Sequence, residues 1–390
     1  MKKSNLFLSF SFCVVTLFFS GCSFKEDENE NTINVYNWGE FISNGADGSL
    51  NVNKKFTEET GIKVNYKTFQ NNEELFAKIS GGGADYDVII PSDYMISKLI
   101  EKDMLAEINY NNIPNYKYIS ESFKNLNFDP SNKYSVPYMW GLVGIFYNKN
   151  EVKEEINWEI LWNEKYKNKI LMFDNARDAF AISLLRLKYS INTRNENEWR
   201  QAANELVNQK PLVQAYVMDQ IFDKMGNEEA VLAPYYAGDA ASMVKNNPNI
   251  GFVIPKDGTN RFVDSMCIPK SSKHKEMAEK YINFMCSTEV ALANVKKTGY
   301  STPHNEAFNC LDDETKNNKI FYPDYETIEN SQIFTNEPDC INKLMDELWV
   351  EVKSGGVSDN PWILLVILSS FGIIYLAITY ILKIKNNCLK

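Results

Sequence analysis

The sequence predicts an α/β protein with two lobes joined by hinge strands, followed by a transmembrane helix. Strand and helix signals alternate from residue 32 onward, and a second alternating set begins near residue 134. Residues 361–382 contain no charged side chain. Alternating strands and helices are typical of parallel sheets with helices on both faces. The length of 390 residues is enough for two domains.

Composition and charge narrow the function classes. The chain is 44% hydrophobic and 24% charged, which is ordinary for a globular protein, and its net charge is −10. No basic patch of the kind that nucleic acid requires is present, so no nucleic-acid partner is expected. A cationic ligand would be attracted to such a chain.

The N-terminus carries an export signal. Lys2 and Lys3 precede an apolar run over residues 6–19 and then small residues, which predicts a signal peptide over residues 1–21. Cys22 is placed as in the lipobox of bacterial lipoproteins, where this cysteine is lipidated, although Phe19 replaces the usual Leu. The acidic, Asn-rich residues 22–31 are then expected to form a tether.

The C-terminal apolar segment is predicted to be a transmembrane helix over residues 361–383. As a helix, residues 362–382 span about 32 Å, against about 30 Å for a bilayer core. Lys383 ends the segment and Lys385 and Lys390 follow it, which predicts a cytoplasmic C-terminus. A buried core helix fits less well because no polar face exists. The protein is therefore expected on the outer face of the cytoplasmic membrane, anchored at both ends.

The exported part retains four cysteines: Cys267, Cys286, Cys310 and Cys340. A Cys310–Cys340 disulfide is compatible with an oxidising compartment. Buried free thiols are compatible with the same sequence, which does not determine pairing.

The first set of elements ends in polar and aromatic residues. It comprises strands near 32–36, 62–66 and 87–90 and helices near 50–60, 72–80 and from 93. Ligands to parallel sheets bind beyond the carboxyl ends of the strands. Two such ends carry Trp38-Gly39-Glu40 and residues 91–94, which we expect to face one crevice.

An aromatic face beside a carboxylate, as in Trp38 and Glu40, is suited to an organic cation. A Trp that fills the core beside a surface Glu is the alternative, and burial statistics favour neither.

The second set of elements follows a similar plan. Strands are predicted at 134–141, 143–147, 169–173, 229–233 and 251–255, with helices at about 178–189 and 196–209. Residues 234–239 are expected to form a loop after their strand.

Six ordered segments resemble the spermidine/putrescine-binding proteins of bacterial polyamine ABC importers. They are residues 35–40, 61–64, 86–92, 136–141, 264–269 and 299–303. The resemblance extends over residues 32–353. It implies a periplasmic-binding-protein-like fold of type II in which lobe 1 is 32–136 and 263–303, and lobe 2 is 137–262 and 304–353. The chain would cross between lobes near 137, 262 and 304.

The family captures a polyamine between hinged lobes and delivers it to an ABC permease. The resemblance assigns polyamine contacts to nine residues of this chain: Trp38, Glu40, Tyr94, Asp178, Tyr236, Asp239, Phe262, Asp264 and Tyr300. Carboxylates would hold the ammonium groups and aromatic rings would pack on the methylenes. A helix N-cap for Asp178, a turn for Asp264 and core packing for the rings are the alternatives. A monomer without cofactor is expected.

Several positions depart from the spermidine-binding members of the family. Asn175 stands where those members have an Asp, and Asp239 resembles the putrescine-binding members. Met218 and Phe334 stand near positions that are polar in spermidine binders. These departures favour a diamine ligand.

Two other functions, a polyamine sensor and an enzyme, fit the sequence less well. A membrane-bound polyamine sensor fits the transmembrane helix, but the predicted cytoplasmic end is too short for an output domain. Enzyme chemistry is not indicated, because His274 and His304 lack neighbours at metal-ligand or triad spacing. Both histidines are expected at the surface.

Overall fold

The computed structural model describes residues 31–82 and 85–355. The strands are β1 Thr32–Trp38, β2 Lys63–Phe69, β3 Val88–Ile89, β4 Ser135–Asn148, β5 Ile170–Phe173, β6 Val213–Val217, β7 Leu232–Tyr236, β8 Ile250–Val253, β9 Thr259–Cys267 and β10 Ser331–Gln332. The helices are α1 Val52–Thr60, α2 Asn72–Ser80, α3 Asp93–Glu101, α4 Ala176–Arg186, α5 Glu196–Gln209, α6 Ile221–Gly226, α7 Ala240–Asn246, α8 Lys275–Met285, α9 Thr288–Thr298, α10 Asn305–Asn309, α11 Asp313–Asn317, α12 Tyr325–Glu329 and α13 Asp339–Ser354.

Two parallel groups of strands are joined by long antiparallel strands. The strand order is β2-β1-β3-β9-β4-β7-β5-β6, with β8 beside β4 and β10 beside β9. In the first group, β1 is parallel to β2 and β3. In the second, β5 is parallel to β6 and β7. The antiparallel strands β9 and β4 stand between the groups, which is the α/β architecture with hinge strands that the sequence predicts.

Strand β4 passes from one group to the other without a break. Residues 135–142 pair with β9, and residues 143–148 pair with β7 and β8. The prediction of two separate strands, at 134–141 and 143–147, is therefore wrong. Glycine at position 141 allows the Phe262 ring to approach the backbone of β4 closely, since a Cβ at this position would lie 2.7 Å from Cζ of Phe262.

In the first group, the helices begin and end at residues that favour helix ends. Asn51 accepts a hydrogen bond from the backbone N–H of Lys54, and Gly61 ends α1 with φ +72°. Helix α2 matches its predicted range, and the Asn71 side chain caps it. These are the expected roles of Asn before a helix and Gly after it.

Strand β7 lies three residues beyond its predicted position. It contains Pro234, which stands opposite Ile145 of β4. The predicted loop over 234–239 is consequently part strand, with a single 3₁₀ turn at Ala237–Asp239. Pro is rare at interior positions of a strand, and for this reason the strand was predicted to end before Pro234.

The core of the first group lies on both faces of its sheet. On one face, Ile33 and Val35 of β1 are fully buried, and Phe56 of α1 packs edge-on against Tyr281 of α8 at 5.1 Å. On the other face, Leu75 of α2 is also fully buried. Strands covered on both sides are expected for a parallel sheet.

Cysteines and histidines differ in part from expectation. Cys267 and Cys286 are buried free thiols, whereas Cys310 and Cys340 are unpaired and exposed. His304 is buried rather than on the surface. Its Nδ1 accepts a hydrogen bond from the backbone N–H of Ala307, so it acts as the N-cap of α10. A ring at a cap position gives no sequence pattern distinct from a surface histidine.

Within the described ranges, none of the helices has the length and apolar character needed to cross a bilayer. The predicted signal peptide, Cys22 and the predicted transmembrane helix over 361–383 lie outside the described residues.

Candidate ligand-binding site

A cleft lies at the carboxyl ends of β1, β6 and β7. All nine residues singled out from the sequence line it: Trp38, Glu40, Tyr94, Asp178, Tyr236, Asp239, Phe262, Asp264 and Tyr300. The structure thus brings together residues that are up to 262 positions apart in the chain. Their placement agrees with the rule that ligand sites form beyond strand carboxyl ends.

The segment after β1 forms one wall of the cleft. The indole of Trp38 packs on Phe69 at 4.5 Å and its Nε1 is buried without a hydrogen-bond partner. Glu40 is exposed and has φ +48°, a left-handed turn that re-aims the chain. A Cβ on Gly39 would lie 3.1 Å from Oδ2 of Asp219, so the opposite wall approaches closely here. Trp38 therefore contacts the core through Phe69 and also lines the cleft.

Asp264 is held by a network that starts at α2. The hydroxyl of Ser92 donates to Oδ1 of Asp264 at 2.6 Å, and the amide of Asn72 donates to the same hydroxyl at 3.2 Å. Burial raises the pKa of Asp264 to about 7, against the opposing effect of the Ser92 hydrogen bond; the nearby charge of Asp178 adds to the increase. A turn role for Asp264 is excluded, because it lies within β9.

Asp178 lies in the first turn of α4 and faces the cleft. The hydroxyl of Tyr236 donates to its Oδ2 at 2.8 Å. Burial raises the pKa of Asp178 to about 6, although the hydrogen bond from Tyr236 lowers it. The helix N-cap is Asn175, whose side chain accepts from the backbone N–H groups of Arg177 and Asp178. Asp178 is thus not the cap.

Asp239 receives a hydrogen bond from across the cleft. The hydroxyl of Tyr300 donates to its Oδ2 at 2.7 Å. Burial raises the pKa of Asp239 to about 7, while the Tyr300 hydrogen bond lowers it; the charges of Asp219 and Glu40 add to the increase. Both of these neighbours line the same cleft.

Aromatic rings connect the two carboxylate positions. Tyr236 contacts Phe262 edge-on at 5.3 Å, and Phe262 contacts Tyr300 at 6.1 Å. Since Tyr236 is hydrogen-bonded to Asp178 and Tyr300 to Asp239, the rings form a wall between two anionic ends. Such edge-to-face arrangements are the favoured geometry for aromatic pairs.

Tyr94 lies at the Asp178 end, where the protein supplies a cation of its own. The guanidinium of Arg177 stacks on the Tyr94 ring at 4.1 Å and lies 5.3 Å from Phe334. The hydroxyl of Tyr94 donates to Glu73 at 3.0 Å. One face of this ring is therefore occupied by protein.

The cleft residues that were not predicted from the sequence include Arg177, Asp219 and Asn260. Asp219 follows the carboxyl end of β6, which is the place where ligand contacts are expected. Asn260 is two residues before Phe262 on β9 and shares its face of the strand. Asp219 could have been predicted from its position after a strand, and Asn260 from its alternation with Phe262 along a strand. Arg177 carries no such signal.

The chemistry of the cleft is that of a binding site for an organic cation. Carboxylates stand at both ends and aromatic rings between them. Among residues 31–82 and 85–355, no group of three or more His, Cys, Asp or Glu is arranged to hold a metal ion. Buried carboxylates with raised pKa values are costly to ionise without a cation, so the site is arranged to gain from one.

Two lobes with a ligand cleft between them define an α/β solute-binding protein. The chain belongs to the family described as bacterial extracellular solute-binding protein, whose profile matches residues 85–331. This family consists of binding proteins rather than enzymes.

Similar proteins cover almost the whole described part. The spermidine/putrescine-binding periplasmic protein of Escherichia coli (strain K12) is 34% identical over 339 residues, which are 86% of this chain and 95% of that protein. The putrescine-binding periplasmic protein PotF of the same strain is 27% identical over 350 residues, covering 84% and 92%. A solved structure of a putative spermidine/putrescine ABC transporter from Listeria monocytogenes superposes with TM-score 0.79 at 38% identity, over 83% of this chain and 99% of that chain.

Proposed function

We propose that this protein captures a polyamine in its interlobe cleft, on the outer side of the membrane, and delivers it to an ABC permease. The observation that carries the proposal is the pair of anionic ends, at Asp178 with Asp264 and at Asp239 with Asp219, separated by aromatic rings. An alkyl chain with an ammonium at each end matches this pattern. The names of the similar proteins support the same ligand class.

The charge distribution of the cleft favours a ligand whose positive charges are at its two ends. Each buried carboxylate costs free energy when it ionises alone, and an ammonium at hydrogen-bonding distance offsets that cost. Charge-assisted hydrogen bonds contribute about 1.5–3 kcal/mol each. A few of them, with contacts of roughly 0.5–2 kcal/mol to the rings, are enough for a micromolar dissociation constant after ordering costs.

A diamine is the proposed preference. The side chain of Asn175 is engaged as the cap of α4, so it offers little to a ligand. Phe334 is buried against Tyr94 and beside Arg177, and Met218 is buried as well. The positions of Asn175, Phe334 and Met218 therefore offer no carboxylate to a third ammonium. A shorter ligand with two ammonium groups leaves none of its charges unpaired.

Calorimetry of the purified full-length chain tests the ligand class directly. Putrescine, spermidine and spermine are each titrated at pH 8. We expect saturable binding, with putrescine tightest. No heat and no thermal stabilisation with any of the three would refute polyamine binding. Tighter binding of spermidine than of putrescine would refute only the diamine preference.

Asp264→Asn tests the proposed contact residues. The amide keeps an acceptor for the Ser92 hydroxyl, so the local network survives. Loss of the charge is expected to weaken putrescine binding roughly tenfold to hundredfold. Asp324→Asn, at the exposed N-cap of α12, is the matched control and should leave affinity unchanged. Equal affinities for wild type and Asp264→Asn would show that this carboxylate does not hold the ligand.

Transport and anchoring need separate tests. A sensor would bind the same ligand, but no observation favours it; loss of polyamine uptake in cells lacking this protein supports the importer. We also propose that Cys22 is lipidated and that residues 361–383 span the membrane. Cell fractionation should find Cys22→Ala and a chain truncated after residue 360 both in the membrane, and only the combined variant released. Release of the wild-type chain would contradict both anchors.

A further inference from the structure

The Asn260 side chain is buried in the cleft wall with one hydrogen-bonding atom unused. Only 3% of Asn260 is exposed, and its Oδ1 has no hydrogen-bond partner. Buried amide oxygens are nearly always paired, so an unpaired one on a residue that lines a cleft points to a donor that a ligand supplies.

Strand geometry points this side chain into the cleft. Asn260, Phe262 and Asp264 alternate along β9, and all three line the cleft. The intervening residues Arg261 and Val263 do not line it. Successive side chains of a strand point to opposite faces, so Asn260 belongs to the same surface as the proposed ligand contacts.

The amide is also oriented by its neighbour. Asn260 lies within hydrogen-bonding range of the Asp178 carboxylate and stabilises its charged form. An amide donates only through its nitrogen, so Nδ2 faces Asp178 and Oδ1 remains available. Oδ2 of Asp178 accepts a hydrogen bond from Tyr236. Asp178 and Asn260 together thus present acceptor oxygens at one end of the cleft.

We propose that Asn260 is a ligand-binding residue which accepts an N–H of the ammonium group that Asp178 holds, and so selects for an unsubstituted ammonium at this end. This inference rests on the proposed polyamine binding. An ammonium has three N–H donors and a tertiary ammonium has one. A ligand that keeps its charge but loses these donors leaves Oδ1 unpaired, and a buried unpaired acceptor is expensive.

The test compares two substitutions at pH 8. Asn260→Leu removes the acceptor while keeping a similar shape, and is expected to weaken putrescine binding roughly tenfold to hundredfold. Asn260→Asp keeps acceptor oxygens, loses the donor to Asp178 and adds a carboxyl group, so it is expected to bind putrescine at most about threefold more weakly than wild type. If Asn260 served only to donate to Asp178, both substitutions would weaken binding alike. That result would overturn the proposal.

Ser265→Ala is the matched control. Ser265 is also fully buried on β9 with an unpaired side-chain oxygen, but it lies on the opposite face of the strand and does not line the cleft. Its replacement should leave affinity unchanged. A loss of affinity as large as that of Asn260→Leu would mean that any disturbance of β9 impairs binding, and would overturn the specific role.

A ligand series adds a readout of selectivity, which a general loss of affinity would not change. Wild type should bind putrescine at least thirtyfold more tightly than N,N,N′,N′-tetramethylputrescine, and Asn260→Leu should reduce that ratio at least threefold. An unchanged ratio in a folded Asn260→Leu chain, or a wild-type ratio below threefold, refutes the role of Asn260. In either case putrescine binding itself still stands. Absence of putrescine binding refutes the proposed function instead.

Discussion

Three buried carboxyl groups of the cleft have raised pKa values. Their ionisation lowers the stability of the ligand-free chain and favours the binding of a cation. Burial raises the pKa of Asp178 to about 6 and of Asp239 and Asp264 to about 7. An unfolded Asp titrates near 3.9. Between these values the folded chain holds protons that the unfolded chain has lost, so each group reduces the free energy of unfolding as pH rises from about 4 to 7. The penalty is complete above pH 7.

Asp239→Asn should therefore stabilise the ligand-free chain at neutral pH. A change of one pKa unit corresponds to about 1.4 kcal/mol, so the gain at pH 8 is on the order of a few kcal/mol. At pH 4 the aspartate is already protonated and the gain should vanish. Denaturant unfolding of wild type and variant at both pH values measures the difference. Equal stability at pH 8 would mean that Asp239 is not desolvated in solution.

The same groups predict that polyamine binding releases protons. A cation stabilises the charged carboxylates and returns their pKa values toward normal, so affinity for putrescine should fall as pH decreases from 8 to 5.5. Calorimetry at pH 6.5 in buffers of different ionisation enthalpy should report net proton release. Proton uptake, or an affinity that does not change with pH, would contradict this linkage.

At the scale of elements, a close approach between two glycine turns positions the Tyr300 ring. Gly238 lies in the turn after β7, and Gly299 precedes Tyr300 with φ +79°. A Cβ on Gly238 would lie 2.3 Å from ring carbons of Tyr300. Only glycine permits this contact, which brings the Tyr300 hydroxyl to Asp239.

Gly238→Ala should therefore displace Tyr300 and impair both packing and binding. The clash is expected to cost roughly 1–3 kcal/mol of stability, and loss of the Tyr300–Asp239 hydrogen bond should weaken putrescine binding. Thermal unfolding and calorimetry measure the two effects. Gly226→Ala is the control, because a Cβ there meets nothing within 4 Å. Similar behaviour of the two variants would contradict the close approach.

At the scale of the whole molecule, the cleft brings like charges together from both walls. Glu40 follows β1 in the first strand group, whereas Asp219 and Asp239 follow β6 and β7 in the second. Without a ligand their repulsion opposes closure, and a bound cation removes it. Charge repulsion at this end thus couples ligand occupancy to lobe closure.

Small-angle scattering should detect this coupling. At pH 8 the radius of gyration of the full-length chain should decrease on saturation with putrescine. At pH 5.5 the ligand-free chain should be more compact than at pH 8, because Asp178, Asp239 and Asp264 are then largely protonated. An identical radius under all three conditions would contradict ligand-driven closure.

Sequence patterns and the family resemblance were sufficient to predict the alternation of strands and helices, the glycine that ends α1, the range of α2, and the nine residues that meet in one cleft. These features are local or repeat a family pattern: Asn51 and Gly61 act within one turn of their helix, and Trp38 follows its own strand. The match of whole segments supplied the rest of the site. Resemblance therefore carried the long-range information that local patterns lack.

Features that depend on distant neighbours could not be predicted from the sequence. Gly141 lies inside one long strand, where the Phe262 ring leaves no space for a side chain. His304 is buried as the N-cap of α10, and Arg177 stacks on Tyr94. The raised pKa values and the unpaired oxygen of Asn260 likewise come from burial between segments far apart in the chain. Burial and contact across the cleft are properties of packing, and no window of sequence contains them.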